Sequence, residues 1–186
     1  MKITLAMVIS LDGRITQGSD GQASSWASPE DQKIFRQLIT DCDCVIMGSA
    51  TYAAQRGFIT PTADTPRYVL TRTPDNFSQD AHRPGLIFFA GTPADVIADC
   101  RSHGYQNVLL VGGAATTARF LDAGLVDELL ITVEPYIFGE GLPLSGMLHA
   151  TAHLRLLSAR QLNNAGSLLL HYYIEKEDTY HEDTKV

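Results

Sequence analysis

Glycine and hydroxyl residues follow several apolar runs of this 186-residue chain, most clearly at residues 108–117, VLLVGGAATT. The apolar half has no polar alternation, which is typical of a strand covered on both faces of a sheet. Gly112 and Gly113 carry no Cβ, and the residues after them open a helix whose first N–H groups attract an anion. The pattern predicts a phosphate-binding turn, with an ordinary strand-to-helix connection as the alternative.

Two carboxylates stand at the ends of predicted strands. Asp12 follows the apolar run 3–9, and Glu134 closes the alternating run 126–134. In open α/β sheets ligands bind beyond the carboxyl ends of the strands. Either carboxylate could act as an acid if desolvation raises its pKa, or could accept a hydrogen bond from an amino-heterocycle. The plainer alternatives are that Asp12 is a turn residue beside Gly13 and that Glu134 is a surface acid.

Composition and charge argue against several classes of function. The formal net charge is −7 and the sequence pI is about 5.2, whereas nucleic acids and anionic membranes attract basic surfaces. No apolar run approaches the ~18 residues needed to cross a bilayer. The histidines are scattered and no metal-ligand or nucleophile-elbow pattern occurs, so we predict no metal site. Three cysteines favour reduced thiols and a cytoplasmic location.

The periodicity predicts a single domain over residues 1–175 and a frayed, charged tail at 176–186. Helix starts are predicted at Ser28-Pro29-Glu30-Asp31 and Thr92-Pro93-Ala94-Asp95, where a hydroxyl caps, proline suits the first turn and the aspartate occupies the capping-box position. The element order indicates a mostly parallel sheet with an antiparallel C-terminal hairpin and helices on both faces. Strands are predicted at residues 3–9, 44–48, 67–71, 86–90, 108–111, 126–134, 154–162 and 167–174.

A long loop is predicted between Asp12 and Trp26. Loops of this length inside a compact domain are usually functional or mobile, so we interpret it as a lid or substrate wall, with a tolerated surface excursion as the alternative. Trp26 would flank the pocket, although packing is the commoner role of an indole.

Five motifs in chain order resemble the reductase domain of the bifunctional riboflavin-biosynthesis deaminase-reductase, within the dihydrofolate-reductase-like superfamily. The similarity covers nearly the whole chain and ends with the hairpin. It implies a three-layer α/β/α dihydrofolate-reductase-like fold, NADPH as cofactor and a homodimer formed through the C-terminal edge. The motifs are residues 10–15 (SLDGRI), 26–31 (WASPED), 47–52 (MGSATY), 111–113 (VGG) and 124–129 (GLVDEL).

The resemblance also implies which residues form the site. Thr71-Arg72 would lie by the adenosine 2′-phosphate, and Gly112-Gly113, joined by a cis peptide, would lie against the diphosphate. Asp12 and Glu134 would be the catalytic carboxylates, with Ser10 and Trp26 binding substrate. The full cofactor-binding set would be Ile15, Gly48, Ser49, Thr51, Thr71, Arg72, Gly112, Gly113, Ala114, Ala115 and Thr116.

The chain departs from the family pattern at residues 52–58, YAAQRGF, which lack the aspartate-proline-containing, arginine-terminated segment that helps hold a ribityl phosphate. No family arginine is matched near Thr40, and no zinc-ligand spacing of the deaminase type appears. We therefore predict an NADPH-dependent reductase of a small pterin-like, pyrimidine-like or carbonyl/imine substrate. The alternatives are the authentic 5-amino-6-(5-phosphoribosylamino)uracil reductase of riboflavin biosynthesis and a non-catalytic NADP(H)-binding protein.

Overall fold

The computed structural model describes residues 1–18 and 25–176, and these contain one eight-stranded sheet with helices on both faces. The strands are β1 (Lys2–Ser10), β2 (Cys44–Gly48), β3 (Arg67–Leu70), β4 (Leu86–Phe89), β5 (Asn107–Leu110), β6 (Glu128–Glu134), β7 (His153–Gln161) and β8 (Leu168–Glu175). The α-helices are α1 (Pro29–Asp41), α2 (Ser49–Gln55), α3 (Pro93–Ser102) and α4 (Ala114–Asp122).

The strand order is β4-β3-β2-β5-β1-β6-β8-β7. The six strands from β4 to β6 are parallel, and β8 and β7 complete the sheet in antiparallel pairing. The predicted sheet with its antiparallel hairpin is confirmed. Since β1 lies between β5 and β6, the carboxyl ends of these three strands are neighbours, and Ser10 is paired in register with Glu134.

Side chains that alternate along the central strands pack into two separate cores. On one face, Leu5 and Ile46 pack in a cluster with residues of α3 and α4, including the fully buried Phe120. On the other face, Val45 packs with Tyr52 of α2, and part of α1 packs against the same cluster. Because neighbouring strand residues point to opposite faces, this division confirms the three-layer arrangement.

Most strand and helix boundaries fall within two residues of the predicted ones. A 3-10 helix at Pro74–Phe77 occupies a segment predicted as loop, and β6 begins at Glu128 instead of residue 126. The predicted lid between Asp12 and Trp26 includes residues 19–24, and the predicted tail includes residues 177–186; both stretches lie outside the described residues. Within the described part of the chain, no helix has the length and apolar character to cross a membrane.

Candidate active site

The ends of β2 and β5 approach each other through glycine backbone. The Gly48 N–H donates to the carbonyl oxygen of Gly112 at 2.9 Å. A Cβ at Gly48 would lie 2.3 Å from the Thr116 hydroxyl oxygen, and one at Gly113 would lie 3.0 Å from that of Thr51. The peptide bond between Gly112 and Gly113 is cis, as the resemblance implies. The two turns predicted to contact the cofactor therefore form one continuous surface that side chains at these glycines would fill.

The N-terminus of α4 opens onto this surface. The helix begins at Ala114, and its N-cap, Gly113, provides no side-chain hydrogen bond to the first turn. The N–H groups of Ala114, Ala115 and Thr116 precede any intrahelical partner, and the helix dipole adds partial positive charge there. The donor set fits a phosphate or diphosphate, which is the chemistry that the resemblance assigns to it.

The remaining predicted cofactor residues follow the carboxyl ends of β1, β2 and β3. Ser49 and Thr51 are in the first turn of α2, directly after β2. Thr71 follows β3, donates its N–H to Phe89, and is itself followed by the exposed Arg72. Ile15 is buried in the loop after β1, where its N–H donates to the Leu142 carbonyl at 2.8 Å.

Asp12 is held as an anion by three donors. The buried Ser10 hydroxyl donates to it at 2.6 Å, and the N–H groups of Phe138 and Gly139 donate at 3.1 and 2.8 Å. These hydrogen bonds, that from Ser10 foremost, lower the pKa of the Asp12 carboxyl to about 2. Asp12 thus ties the loop after β1 to residues 138–139, and the geometry favours a charged acceptor over an acid at this position.

Trp26 packs edge-on against Phe138, with ring centroids 5.0 Å apart and an interplanar angle of 85°. The aromatic side chain therefore covers the loop segment that Asp12 fixes. Its buried indole nitrogen, Nε1, has no hydrogen-bond partner among residues 1–18 and 25–176. A buried indole N–H normally finds an acceptor, so this unpartnered donor is an unusual feature beside the loop that Asp12 fixes.

Glu134 is buried at the end of β6, with 2 % of its surface exposed. One carboxylate oxygen, Oε1, accepts the backbone N–H of Ser28 at 2.8 Å, and the other, Oε2, accepts the Ser167 hydroxyl at 2.5 Å. The alternative of a surface acid is therefore wrong. Through these hydrogen bonds the Glu134 side chain connects β6 with the start of α1 and with the hairpin turn before β8.

Asp31 is a further acid beside Glu134 that sequence reasoning treated only as a helix cap. Burial raises the pKa of the Asp31 carboxyl, and the charge of Glu134 acts in the same direction, while a hydrogen bond with the Thr132 side chain opposes both. A carboxyl group whose pKa is raised in this way suits proton donation to a bound ligand. The capping pattern gave no sign of this role, because the neighbour that perturbs Asp31 is remote in sequence.

Asp31 and Glu134 are called the acid pair below. Glu134 and the glycine surface stand on either side of β1. Glu134 ends β6 and Gly112 follows β5, with β1 between them. Adjacent strands lie about 4.8 Å apart, so the two groups are separated by roughly 10 Å. Glu134 and the glycine surface therefore flank the carboxyl end of β1.

The segment at residues 52–58, where the chain departs from the family, is held by local ion pairing. Arg56 contacts both oxygens of Asp80, with Nε and Nη2 each 2.8 Å from a carboxylate oxygen. Arg83 also joins this region, donating to the Ile59 carbonyl at 2.5 Å. Arg56 is thus engaged with protein groups and stabilises the chain around α2.

The comparisons with known proteins agree with this geometry. A relative, the uncharacterized protein YwjB of Bacillus subtilis strain 168, is 30% identical over 176 residues, covering 92% of this chain and 97% of that protein. A putative riboflavin biosynthesis protein from Shewanella sp. PV-4 superposes with a TM-score of 0.76 at 24% identity, covering 95% of this chain and 100% of that one. Dihydrofolate reductase from Enterococcus faecalis, solved with NADP(H), gives a TM-score of 0.69 at 17% identity, over 94% and 97% of the two chains.

These solved structures show that the fold is dihydrofolate-reductase-like, as the resemblance implies. The model of the RibD C-terminal domain family matches residues 1–166, nearly the whole described chain. The protein therefore belongs to the RibD C-terminal domain family.

Proposed function

We propose that this protein is an NADPH-dependent reductase that transfers a hydride to a small pterin-like, pyrimidine-like or carbonyl/imine substrate. The observation that carries the proposal is the placement of a phosphate-fitting glycine surface and of the buried Glu134, with the half-buried Asp31 beside it, on one rim, separated only by β1. Such a rim is where α/β sheets bind ligands. Membership of the RibD C-terminal domain family supports a reductase.

The cofactor would be held by the glycine surface and the helix behind it. The α4 N-terminus would take the diphosphate, and Arg72, exposed beyond β3, would take the 2′-phosphate of the adenosine. Ser49 and Thr51 would contribute hydroxyl groups from the neighbouring turn. When bound, the nicotinamide ring would supply the hydride, and the protein would supply position and charge.

The acid pair would bind and protonate the substrate. A ring that accepts a hydride at carbon gains negative charge on the adjacent nitrogen or oxygen, and a proton delivered there completes the reduction. Asp31, whose pKa is raised, is the group suited to give that proton. Glu134 would accept a hydrogen bond from an amino group of the substrate, and Trp26, which packs against Phe138, would contact the substrate.

Thermal unfolding with and without NADPH tests the cofactor assignment. At a ligand concentration 100 times the dissociation constant, binding stabilises the folded state by about 2.7 kcal/mol. For a domain of this size that corresponds to a rise in Tm on the order of 5–10 °C. NADH, which lacks the 2′-phosphate, should give a smaller rise, and R72Q should reduce the difference between the two. No change in Tm with saturating NADPH would overturn the proposal.

The riboflavin-pathway reductase is a second candidate function. Family membership favours it, as does the likeness to a structure described as a putative riboflavin biosynthesis protein. The ion pair between Arg56 and Asp80 argues against it, since that arginine is already engaged in the segment where relatives help hold the ribityl phosphate. Oxidation of NADPH in the presence of 5-amino-6-(5-phosphoribosylamino)uracil, the substrate of the riboflavin-pathway reductase, decides between the two. NADPH binding without turnover of any substrate would favour a non-catalytic protein.

The C-terminal hairpin carries the proposed homodimer interface. β7 is the last strand of the sheet, and every residue in it is exposed, including Leu154, Leu156 and Leu157. An apolar, unpaired edge strand of this length is usually covered by another part of the chain or by another protein chain. We expect light scattering to give twice the chain mass at micromolar concentration, and a monomer would refute the dimer. Three free cysteines support the proposed cytoplasmic location.

A further inference from the structure

Two thiols that the proposed site does not use are in contact inside the core. Cys44 is the first residue of β2, and Cys100 lies two residues before the end of α3. Their Sγ atoms are 3.7 Å apart, and both residues are fully buried. The contact therefore joins a strand of the sheet to the helix that covers it, across 56 positions of sequence.

The surroundings of the two thiols are apolar. Cys44 and Cys100 belong to the core cluster that also contains the buried side chains of Ile3, Val96 and Ile97. The hydrogen bond with Cys100, together with burial, raises the pKa of the Cys44 thiol, so Cys44 is uncharged at neutral pH. Oxidants react with thiolates, and the closed core therefore keeps the pair reduced.

The two sulfur atoms are already near the separation that a disulfide requires. An S–S bond is about 2.05 Å long, so sulfurs that lie 3.7 Å apart must approach each other by about 1.7 Å. Shared equally between the two side chains, this is a movement of about 0.8 Å for each sulfur. Small rotations of the two side chains are enough to supply a movement of this size.

The third cysteine, Cys42, lies on the other side of the sheet. It packs beside Leu38 and Ile39 at the edge of the opposite core cluster, and its Sγ donates to the Ile39 carbonyl oxygen at 3.4 Å. The sheet therefore separates Cys42 from Cys100. Although Cys42 is only two residues from Cys44 in sequence, it is not placed to pair with Cys100, and it provides a control within the same chain.

Both cysteines of the pair lie near the ends of their elements, where local opening is easiest. Cys44 begins β2, and Cys100 is in the last turn of α3. Strand and helix ends open at a lower free energy than the middle of the core, so a small oxidant can reach the thiols without global unfolding. The glycine turn that we assign to the cofactor follows the opposite end of β2, at Gly48, about 13 Å along the strand.

We propose that Cys44 and Cys100 form a peroxide-sensitive modification site that closes to a disulfide between β2 and α3. In the first step the O–O bond of the peroxide breaks, one oxygen bonds to a cysteine sulfur as a sulfenic acid, and the other leaves as water. In the second step the remaining thiol attacks that sulfur, the S–S bond forms, and the sulfenic oxygen leaves as a second water. The thiols lose two electrons and two protons, and the peroxide takes up both.

The bridge encloses residues 44–100, which contain β2, α2, β3 and β4 and most of α3. This segment carries two of the turns proposed to bind the cofactor, Gly48–Thr51 and Thr71-Arg72. A cross-link over so long a loop restricts the unfolded chain, and we expect a rise in Tm on the order of 5–10 °C. NADPH affinity should stay the same, because the sulfurs lie at the end of β2 away from the glycine surface. The chemistry uses no nicotinamide, so the proposal is independent of the proposed function.

Mass spectrometry of the full chain after treatment with hydrogen peroxide, under non-reducing conditions, tests the proposal. We expect the intact mass to fall by two hydrogen atoms and the tryptic peptides 37–56 and 73–101 to appear as one cross-linked species. Dithiothreitol should restore the original mass and reverse the rise in Tm. Peptide 37–56 contains both Cys42 and Cys44, so the variants below identify the bridged residue.

C42A is the matched control, because it keeps the contacting pair, and it should form the same cross-linked species. C44A and C100A should form none, and circular dichroism establishes that they are folded. If either fails to fold, the cross-linked peptides of C42A identify the bridge without it. A bridge that contains Cys42, oxygen added to Cys44 or Cys100 with no bridge, or a C42A protein that keeps both thiols free after peroxide treatment would each overturn the proposal.

Discussion

The starts of α1 and α3 share one sequence pattern and differ in what their aspartates do. Each has a hydroxyl cap, a proline and an aspartate three residues after the cap. At α3 the Thr92 hydroxyl accepts the Asp95 N–H at 3.2 Å, and Asp95 accepts the Thr92 N–H at 2.8 Å, which completes a capping box. At α1 the Ser28 hydroxyl accepts the Asp31 N–H at 3.3 Å, but the Ser28 N–H donates to Glu134.

The difference shows how the aspartate of a helix-capping motif can become a candidate acid. The backbone hydrogen bond from Thr92, the largest cause, lowers the pKa of the Asp95 carboxyl, whereas burial beside Glu134 raises that of Asp31. Glu134 satisfies the backbone donor that Asp31 would otherwise accept. Asp31 therefore turns to Thr132 and keeps its proton to higher pH.

The largest expected effect comes from removing the two aspartates in turn. D31N should lower kcat/KM for reduction of the substrate by about 10²–10⁴-fold, which is the usual contribution of a positioned general acid. NADPH binding, measured by fluorescence titration, should be unchanged. D95N is the matched control and should leave kcat/KM within a factor of two while lowering Tm. Equal losses of activity in both variants would remove the distinction between the two helix starts.

Replacing Glu134 should make the start of α1 resemble that of α3. In E134Q the side-chain oxygen can still accept one of the two hydrogen bonds that Glu134 accepts. The side-chain amide nitrogen then faces the other donor, which is either the Ser167 hydroxyl or the Ser28 N–H. The unmatched buried donor should lower the free energy of unfolding by about 1–3 kcal/mol, measured in urea. Loss of the neighbouring charge should also lower the pKa of Asp31 toward its ordinary value. An unchanged Asp31 titration in E134Q would contradict the coupling of the two acids.

The two hydroxyl caps should contribute similarly to stability, whatever their aspartates do. S28A and T92A each remove one side-chain acceptor from a first helical turn, and each should lower the free energy of unfolding by about 1 kcal/mol. The Ser28 N–H still reaches Glu134 in S28A, so the Asp31 carboxyl should titrate as in the wild type. A much larger loss in S28A than in T92A would mean that the Ser28 hydroxyl has a role beyond capping.

The smallest expected effect is an opposite pH dependence of stability at the two positions. The folded-state pKa of Asp95 is lowered, so its stabilisation is present above the ordinary value of 3.8 and is lost as the pH falls through the folded-state pKa. The folded-state pKa of Asp31 is raised, so its contribution to the stability of the folded state is lost as the pH rises above its ordinary pKa of 3.8. Unfolding followed from pH 3 upward should show D95N less acid-sensitive than wild type and D31N more stable near neutral pH. The same sign in both variants would contradict the comparison.

The fold was predictable from local patterns, because strand periodicity and helix caps are short-range signals. The glycine turns after β2 and β5 were predictable for the same reason, since each strand end is followed at once by its turn. The proposed role of Asp31 was not predictable in this way. It depends on a bond between Ser28 and Glu134, which are 106 residues apart in sequence. The hydrogen bonds from Asn163 to Ser167 and from Ser167 to Glu134 also join segments remote in sequence, so only the folded chain shows them.

The hairpin that ends the sheet also sets the order in which the site can mature. Synthesis proceeds from the N-terminus, and earlier segments can fold while later ones are still being made. The glycine surface is complete once α4 has been translated, but Glu134 receives its second donor only when Ser167 has left the ribosome and β8 has paired with β6. A nascent chain could therefore acquire its anion-binding surface before its acid pair is arranged, and substrate chemistry would begin only after the hairpin had closed.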